Sequence, residues 1–330
     1  MSFLKTVLRM LLATGAVVGL VGASWLFYQE KSRQDVAFAL APDGKSIVFS
    51  AAGVGGSDLY MLDLVNMKSD DLIRSTVRED MPAFSPDGSR IVYAAASPRS
   101  TVSHIYAYSS TDKTRKQLTG TMGVYDDMPS FSTDGTQIVF ARALLHRPYS
   151  MGGWTWDHWD IYVMRSDGTG ARRLTYGEYY TVSPPKFAPD GQTIVFAPQG
   201  SDPGTDTTNV LQVDLRGKKL PRPLTKDGHS SSPTFTPDGK HIVYICDASV
   251  PFDYELWSMN YDGTHPVQLT NEHSYLENPV VTCDGKHILA LADKNRASRY
   301  DLYEFAIDGT HPRRVADNTL FDQPLYWKPK

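Results

Sequence analysis

Residues 84–93 read Phe-Ser-Pro-Asp-Gly-Ser-Arg-Ile-Val-Tyr, and this stretch decides the fold. Pro86 presets φ at the second position of a type I turn, Asp87 tolerates the third position, and Gly88 accepts a positive φ at the fourth. The run Ile91-Val92-Tyr93 that follows is β-branched and aromatic, as strands favour. The stretch therefore predicts a strand, a tight turn and a second strand.

The Asp-Gly pair of this turn recurs along the chain. Intervals of 44, 47, 56, 48 and 46 residues separate its successive aspartates, which are Asp43, Asp87, Asp134, Asp190, Asp238 and Asp284. Each pair precedes an apolar run such as Ile47-Val48-Phe49 or Ile138-Val139-Phe140. Runs without polar alternation predict strands that are buried on both faces, as in a blade packed between two neighbours.

Two further strands follow in each unit. In the third unit they are Asp160-Ile161-Tyr162-Val163 and the segment ending at Leu174-Thr175, joined by a turn at Asp167-Gly168-Thr169. Four antiparallel strands in about 45 residues is the size of a propeller blade. We therefore predict an all-β fold, a six-bladed β-propeller of four-stranded antiparallel blades, with residues 36–330 as a single domain.

The combined pattern of Ser-Pro-Asp-Gly, Ile-Val-Phe, Asp-Ile-Tyr, Asp-Gly and Leu-Thr resembles the WD40-like (PD40) repeats of TolB-type propellers. Similar repeats occur in the propeller domains of prolyl-oligopeptidase-type enzymes. The resemblance covers about residues 36 to 327 and implies a fold rather than an activity. TolB proteins carry an additional α/β domain before the propeller. The short polar linker at 29–35 leads us to expect that this chain lacks one.

Residues 1–35 have the composition of an export segment. Lys5 and Arg9 precede an uncharged run at 10–29, which as a helix would reach about 30 Å and span a bilayer core. One interpretation is a signal peptide with a small-residue cleavage site at 21–23. The other is an uncleaved signal anchor, which the aromatic residues at 25–28 favour. Both place the propeller in the periplasm or another extracytoplasmic space, and the anchor would tether it to the cytoplasmic membrane.

The charge of the chain bears on its partners, and the positions of its cysteines bear on disulfide formation. The net charge is −4 with both signs interspersed, and without a basic stripe we expect no nucleic-acid partner. The two cysteines, Cys246 and Cys283, fall at opposite ends of the predicted blades. That separation exceeds the reach of a disulfide, so we expect both thiols to be free.

The third unit departs from the repeat through an aromatic insert at 142–159. Because Trp and Tyr dominate binding hot spots, the insert is a candidate partner surface. Its candidate contact residues are Tyr149, Trp154, Trp156, His158 and Trp159. The alternative is that the insert folds back and covers its own blade.

A second set of candidates lies just ahead of the predicted inner strands, where strand starts converge on the mouth of the central channel. The candidates are Asp80, Asp127, Glu277, Asp322, His229 and His273. An acidic ring there would hold a cation or receive a basic peptide, and the alternative is that these residues cap turns and face water. Segments 37–41 and 322–327 both resemble an inner strand, so seven candidates serve six blades. A C-terminal strand that completed the first blade would close the ring without leaving an edge, and the sequence leaves open which of the two segments is displaced.

Catalytic motifs are missing from the sequence. It contains neither a Gly-x-Ser-x-Gly elbow nor a His-Glu-x-x-His pair, and we predict no catalytic residue, cofactor or metal site. The leading hypothesis is a non-catalytic cell-envelope propeller that binds a protein or peptide. The alternative is a carbohydrate-active or metal-dependent enzyme resembling the oligogalacturonate lyases, which hold a metal with channel-facing histidines. A third hypothesis is a structural module that acts through dimerised anchors.

Overall fold

The computed structural model describes residues 37–53, 56–97, 101–148, 154–199, 207–217, 220–247, 249–250, 252–294 and 300–317. They belong to one compact unit, Val36–Lys330. The predicted export segment at 1–35 and the predicted closing strand at 322–327 lie outside the described residues. Within the described part, no helix has the length and apolar character that crossing a bilayer would require.

The described residues form six four-stranded antiparallel sheets, and each sheet is one blade. Blade 1 contains β1 (Phe38–Leu40), β2 (Ser46–Gly53), β3 (Gly56–Asp63) and β4 (Lys68–Ile73). Blade 2 contains β5 (Arg78–Phe84), β6 (Arg90–Ala96), β7 (His104–Ser109) and β8 (Arg115–Gln117). Blade 3 contains β9 (Tyr125–Phe131), β10 (Gln137–Pro148), β11 (Trp154–Arg165) and β12 (Arg172–Arg173).

The remaining blades repeat this order. Blade 4 contains β14 (Lys186–Phe187), β15 (Thr193–Phe196), β17 (Leu211–Asp214) and β18 (Arg222–Pro223), with a small side sheet of β13 (Thr181–Val182) and β16 (Pro198–Gln199). Blade 5 contains β19 (Ser230–Phe235), β20 (His241–Cys246), β21 (Glu255–Asn260) and β22 (Val267–Gln268). Blade 6 contains β23 (Tyr275–Val281), β24 (His287–Asp293), β25 (Asp301–Ala306) and β26 (Arg313–Ala316). The six-bladed, four-stranded prediction is confirmed.

The second strand of each blade is buried on both faces, as its unbroken apolar run predicts. Successive side chains of a strand point to opposite faces. In β6, Ile91 and Tyr93 pack with Val48 of blade 1, whereas Val92 packs with the core of blade 3. Ile91, Val92 and Tyr93 each have 0% exposure. One apolar run therefore belongs to two inter-blade cores.

The ring closes between blades 6 and 1. Leu289 and Leu291 of β24 share a buried cluster with Ile47 and Phe49 of β2. The inner strand of blade 1 is β1, which pairs with β2 in the same register as the other inner strands, Ala39 opposite Val48. Of the two segments that resemble this strand, the one at 37–41 therefore occupies the position.

The turn of the opening stretch has the predicted geometry. Gly88 lies at φ +71°, and its N–H donates to the carbonyl oxygen of Ser85 at 2.9 Å. The Ser85 hydroxyl donates to Asp87 at 2.6 Å, and the backbone N–H of Arg90 donates to that hydroxyl at 2.9 Å. The Ser85 hydroxyl, helped by Ser89, lowers the pKa of Asp87 to about 2. Asp87 is a turn residue, as its sequence context predicts.

Neighbouring turns stack on one another. A Cβ atom placed on Gly135 would lie 3.5 Å from Cδ of Pro86, and one on Gly239 would lie 3.4 Å from Cγ of Pro189. The turn proline of one blade thus covers the turn glycine of the next. Two turns lack the proline and carry Thr133 and Cys283 instead. The glycines that would face them, Gly191 and Gly44, have no atom within 4 Å of an added Cβ.

The Leu-Thr signature of the fourth strand also has a structural cause. In blade 3, Thr175 Oγ1 accepts the N–H of Ile161 at 2.9 Å and donates to the buried carboxylate of Asp160. Asp160 also accepts the N–H of Gly177 at 2.9 Å and is paired with Arg173. The same threonine-to-backbone bond recurs at Thr119, Thr225 and Thr270. These threonines attach the short outer strand to the third strand.

We expect Cys283→Pro to raise the free energy of unfolding by about 0.4–1 kcal/mol. Proline would match the turn position and reduce the entropy of the unfolded chain, and it would fill the space beside Gly44. Chemical denaturation would measure the gain. Cys283→Ser is the matched control because it removes the exposed thiol without restricting the backbone. Equal stability of the two variants would contradict the stacking interpretation.

We expect Thr175→Val to lower the free energy of unfolding by about 1–3 kcal/mol, because the buried N–H of Ile161 loses its acceptor. Thermal and urea unfolding would measure the loss. The control is Thr136→Val, which removes an exposed hydroxyl that donates only within its turn, and we expect it to change stability by less than about 0.5 kcal/mol. A similar loss in both variants would show that the outer strand is not attached in this way.

Candidate functional site

The inner strands of all six blades meet around a central cavity of about 50 Å³. Each blade contributes residues from its inner strand or from just ahead of it, and they include Ala37, Met81, Met128, Lys186, Ser232 and Asn278. Because the strands of each blade are antiparallel, the start of the inner strand lies at the same end as the loop between the second and third strands. These starts and loops therefore share one end of the channel. That end is the channel mouth, and it carries the residues predicted as candidates.

A repeated β-bulge shapes the channel wall. Met81, Met128, Ser232 and Asn278 each have a positive φ between 49° and 55°, and a proline follows each of them. The pairing register shifts at each of these sites. A proline has no N–H to donate to a ladder, so strands accommodate it at a bulge. The proline of each bulge is visible in the sequence. The left-handed conformation of the non-glycine residue before it is not.

Two of the acidic mouth candidates stabilise these bulges. Asp80 Oδ1 accepts the N–H of Met81 at 3.1 Å, and Asp127 Oδ1 accepts the N–H of Met128 at 2.8 Å. Asp80 is also paired with Arg78 at 3.0 Å, and both aspartates are 6% exposed. Burial alone would lower the pKa of Arg78, but the surrounding negative groups, Asp80 and Asp127 among them, outweigh it and raise that pKa. The structure therefore supports the capping alternative, with buried rather than water-facing carboxylates.

The other mouth candidates are separated from this pair. Glu277 accepts the hydroxyl of Tyr300 at 2.9 Å, and Asp322 lies outside the described residues. Across the described ranges, no three His, Cys, Asp or Glu side chains form a group that could hold a metal ion. The predicted acidic ring is therefore not assembled as one ligand set in this part of the chain.

The two candidate histidines flank blade 5, His229 just before its first strand and His273 after its last strand, and each contacts its own aspartate. His229 Nδ1 is 2.9 Å from Asp247, and His273 Nδ1 is 2.9 Å from Asp253. The histidine side chains are 49% and 65% exposed, whereas the aspartates are nearly buried. A carboxylate on one ring nitrogen fixes the orientation of an imidazole. The structure thus presents two oriented, separate His–Asp pairs at the channel mouth.

The insert of blade 3 forms a long hairpin. β10 and β11 have 12 residues each, whereas β6 of blade 2 has 7, so the hairpin extends by about five residues, roughly 15 Å. We call residues 142–148 and 154–160 the blade 3 ribbon. Their register is unchanged from Ala143 opposite Trp159 to Pro148 opposite Trp154, but Leu144 and His158 do not pair between them, and His158 has a positive φ of 58°. The described part of the insert is therefore mostly paired strand.

Aromatic stacking supports the blade 3 ribbon. Trp156 lies 4.8 Å from His146 and 5.6 Å from Tyr125 between ring centroids. Trp159 is 7% exposed and packs in the core between blades 3 and 4. Arg147 forms an ion pair with the buried Asp157. The alternative interpretation, that the insert covers its own blade, therefore holds for Trp159 and for part of Trp156.

The outer surface of the ribbon carries different residues from those predicted. Leu144 and Leu145 are 36% and 38% exposed, and the His158 side chain is 40% exposed and 3.8 Å from Glu178. Tyr149 lies outside the described residues, and the side chain of Trp154 is not described. The sequence analysis missed both leucines because it selected the contact residues of the insert by their aromatic character.

A buried acidic cluster lies between blades 1 and 2. Glu79 is 0% exposed and accepts the Ser75 hydroxyl at 2.6 Å and Arg115 Nη2 at 3.1 Å. Asp58 of β3 is 1% exposed and accepts the N–H of Ser75 at 3.1 Å. Burial raises the pKa of Glu79 to about 7, against the opposing effects of Ser75 and Arg115, and the charge of Asp58 adds to the increase.

We expect Glu79→Gln to change how stability depends on pH. The folded-state pKa of about 7 exceeds the ordinary value of 4.5, so stability from the bound proton is present below pH 4.5 and is lost as pH rises through 7. The loss corresponds to about 3 kcal/mol. Thermal unfolding should show wild type and variant similar at pH 5, with the variant more stable at pH 8. An unchanged difference between the two pH values would contradict the assignment.

Comparison with known proteins gives three findings. No protein-family model matches the chain. The Tol-Pal system protein TolB of Francisella tularensis subsp. mediasiatica (strain FSC147) is 29% identical over 204 residues, which are 62% of this chain and 43% of that protein. The crystal structure of TolB from Acinetobacter baumannii superposes with a TM-score of 0.64 and 22% identity, covering 82% of this chain and 63% of the other.

An enzyme has a similar fold. The oligogalacturonate lyase of Vibrio parahaemolyticus superposes with a TM-score of 0.61 and 13% identity, covering 86% of this chain and 79% of the lyase. At these identities the structural likenesses establish the fold alone. The chain spans 43% of the length of the TolB relative that it matches in sequence. It is a TolB-like β-propeller in fold.

Proposed function

We propose that this protein is a non-catalytic propeller of the cell envelope, built from PD40-type repeats, that binds a protein or peptide partner at its mouth face. The observation that carries the proposal is the blade 3 ribbon. Its two strands pair with each other, and an ion pair and stacked aromatic rings support them. Leu144 and Leu145 are exposed on it. A preorganised apolar projection costs little entropy when a partner docks on it.

The sequence relatives support an envelope partner. TolB of Francisella is named as a protein of the Tol-Pal system, and it matches this chain over 204 residues. The export segment predicted at 1–35 is consistent with a periplasmic propeller that is tethered to the cytoplasmic membrane. In this proposal the anchor holds the domain near the membrane and the ribbon selects the partner.

A second candidate function is a lyase-like enzyme of the channel mouth. Its support is the fold likeness to oligogalacturonate lyases, one of which is described in complex with manganese, together with the two exposed histidines that flank blade 5. Metal analysis of the purified full chain and an assay for eliminative cleavage of oligogalacturonate would test it. A stoichiometric transition metal together with cleavage would replace the binding-only proposal.

We expect the double substitution Leu144→Ser and Leu145→Ser to weaken partner retention at least tenfold, because about 1.4 kcal/mol of lost apolar contact is sufficient for that change. Both side chains are already partly exposed, so the fold should be retained. Quantitative crosslinking and mass spectrometry of the envelope fraction would measure retention.

The matched control for the ribbon is Val65→Ser, which removes an apolar side chain that is 77% exposed in the β3–β4 turn on the opposite end of blade 1. We expect it to leave the crosslinked partners unchanged. A photo-crosslinking residue in place of Leu145 should capture the same partner, whereas one in place of Val65 should not. Equal retention by the double variant and wild type would show that the ribbon is not the contact surface.

A further inference from the structure

One position of the inner strands differs in blade 4 from the other blades. The residue that pairs with the middle of the second strand's apolar run is uncharged elsewhere, namely Ala39, Ala83, Ser130, Thr234 and Val280. In blade 4 this residue is Lys186, which pairs with Val195. Lys186 lines the central cavity. The repeat thus carries a lysine at a register where it otherwise carries an uncharged side chain.

The ammonium group of Lys186 has no ionic or hydrogen-bonding partner within the described residues, and none of the residues that line the cavity is acidic. Burial lowers the pKa of Lys186 to about 8, and no neighbouring charge contributes to that pKa. The group is therefore mostly protonated at neutral pH. The Lys186 side chain is only partly buried, so its charge stays in contact with the channel. An anion bound there would meet a positive group that no acidic lining residue balances.

The acidic residues of the channel mouth do not supply this anion. Asp80 accepts Nε and Nη2 of Arg78 at 3.1 and 3.0 Å. Asp127 accepts the N–H of Met128 and contributes to the raised pKa of the same arginine. Arg78 and the backbone of the bulges therefore already engage both aspartates, and Lys186 remains as a separate positive group in the channel.

We propose that Lys186, together with Ser232 and Asn278, which also line the cavity, forms a binding site for a single carboxylate or similarly small oxyanion. An ammonium, a hydroxyl and an amide supply the donors that an oxyanion accepts. The cavity of about 50 Å³ is large enough for a carboxylate group, because one water needs about 10–15 Å³.

The oxyanion can come from two sources with the same chemistry. One is a free small anion such as acetate or phosphate. The other is an aspartate or glutamate side chain of the peptide partner, and this source rests on the proposed function. The probes are therefore sodium acetate, inorganic phosphate and the blocked peptides acetyl-Gly-Asp-Gly-amide and acetyl-Gly-Asn-Gly-amide, each compared with sodium chloride at equal ionic strength.

The test is thermal unfolding of the full chain with each probe between pH 6 and pH 10. We expect an anionic probe to raise the Tm of wild type by about 2 °C or more at pH 7, and we expect the increase to fade above pH 8 as Lys186 loses its proton. Lys186→Met should abolish the increase. Lys226→Met, at an exposed position, should behave like wild type.

Lys186→Gln is a second neutral variant in case the methionine variant does not fold, and NMR of Cε-labelled lysine provides a direct measurement. An anionic probe should raise the pKa of the Lys186 signal. An increase with acetate or phosphate identifies a site for free anions, and an increase with the Asp peptide but not the Asn peptide or free anions identifies a peptide carboxylate. Equal responses of wild type and the neutral variants to every probe would overturn the proposal. The crosslinking experiment at Leu145 does not depend on Lys186, so the proposed function is tested separately.

Discussion

The whole structure depends on apolar strands that are buried on both faces. Each second strand contributes alternate side chains to two inter-blade cores, as Ile91 and Val92 do for the cores on either side of blade 2. The last of these cores joins Leu289 and Leu291 to Ile47 and Phe49. Since a blade has no core of its own, no blade is stable without its neighbours, and the ring must close. The central channel and its mouth are consequences of that closure.

The fold was predictable because its determinants are local and repeated. The Asp-Gly turn, the apolar run and the Leu-Thr end occur in several copies, and each is explained by contacts within a few residues or across one strand pair, such as Ser85 with Asp87 or Thr175 with Ile161. That Cys246 and Cys283 do not form a disulfide with each other also followed from blade positions. The inner strand of blade 1 was not decided by the sequence because two segments match the same pattern.

The candidate site was less predictable because its contacts join residues that are distant in sequence. The sequence identified Asp80 and Asp127 but not the role of Arg78 or the bulge backbone, and it identified His229 without Asp247. Trp159 was predicted as a contact residue and is packed in a core. The identity of residue 186 as a lysine did not by itself mark it as a candidate in the sequence. It stands out only when the pairing register aligns it with the small residues of the other blades.

The stacking of turn prolines on turn glycines has a mechanical consequence. Contacts of this kind join blade 1 to blade 2 and blade 2 to blade 3, and others join blade 4 to blade 5 and blade 5 to blade 6. They are interrupted at Thr133, between blades 3 and 4, and at Cys283, between blades 6 and 1. These two seams are diametrically opposed in a six-membered ring. On its turn face the propeller therefore has two runs of three stacked turns. At the seam between blades 3 and 4 the Thr133 hydroxyl instead donates to the carbonyl oxygen of Pro189 at 3.3 Å. The seam at Cys283, between blades 6 and 1, is left as the place where a force that widened the channel would meet the least contact between turns.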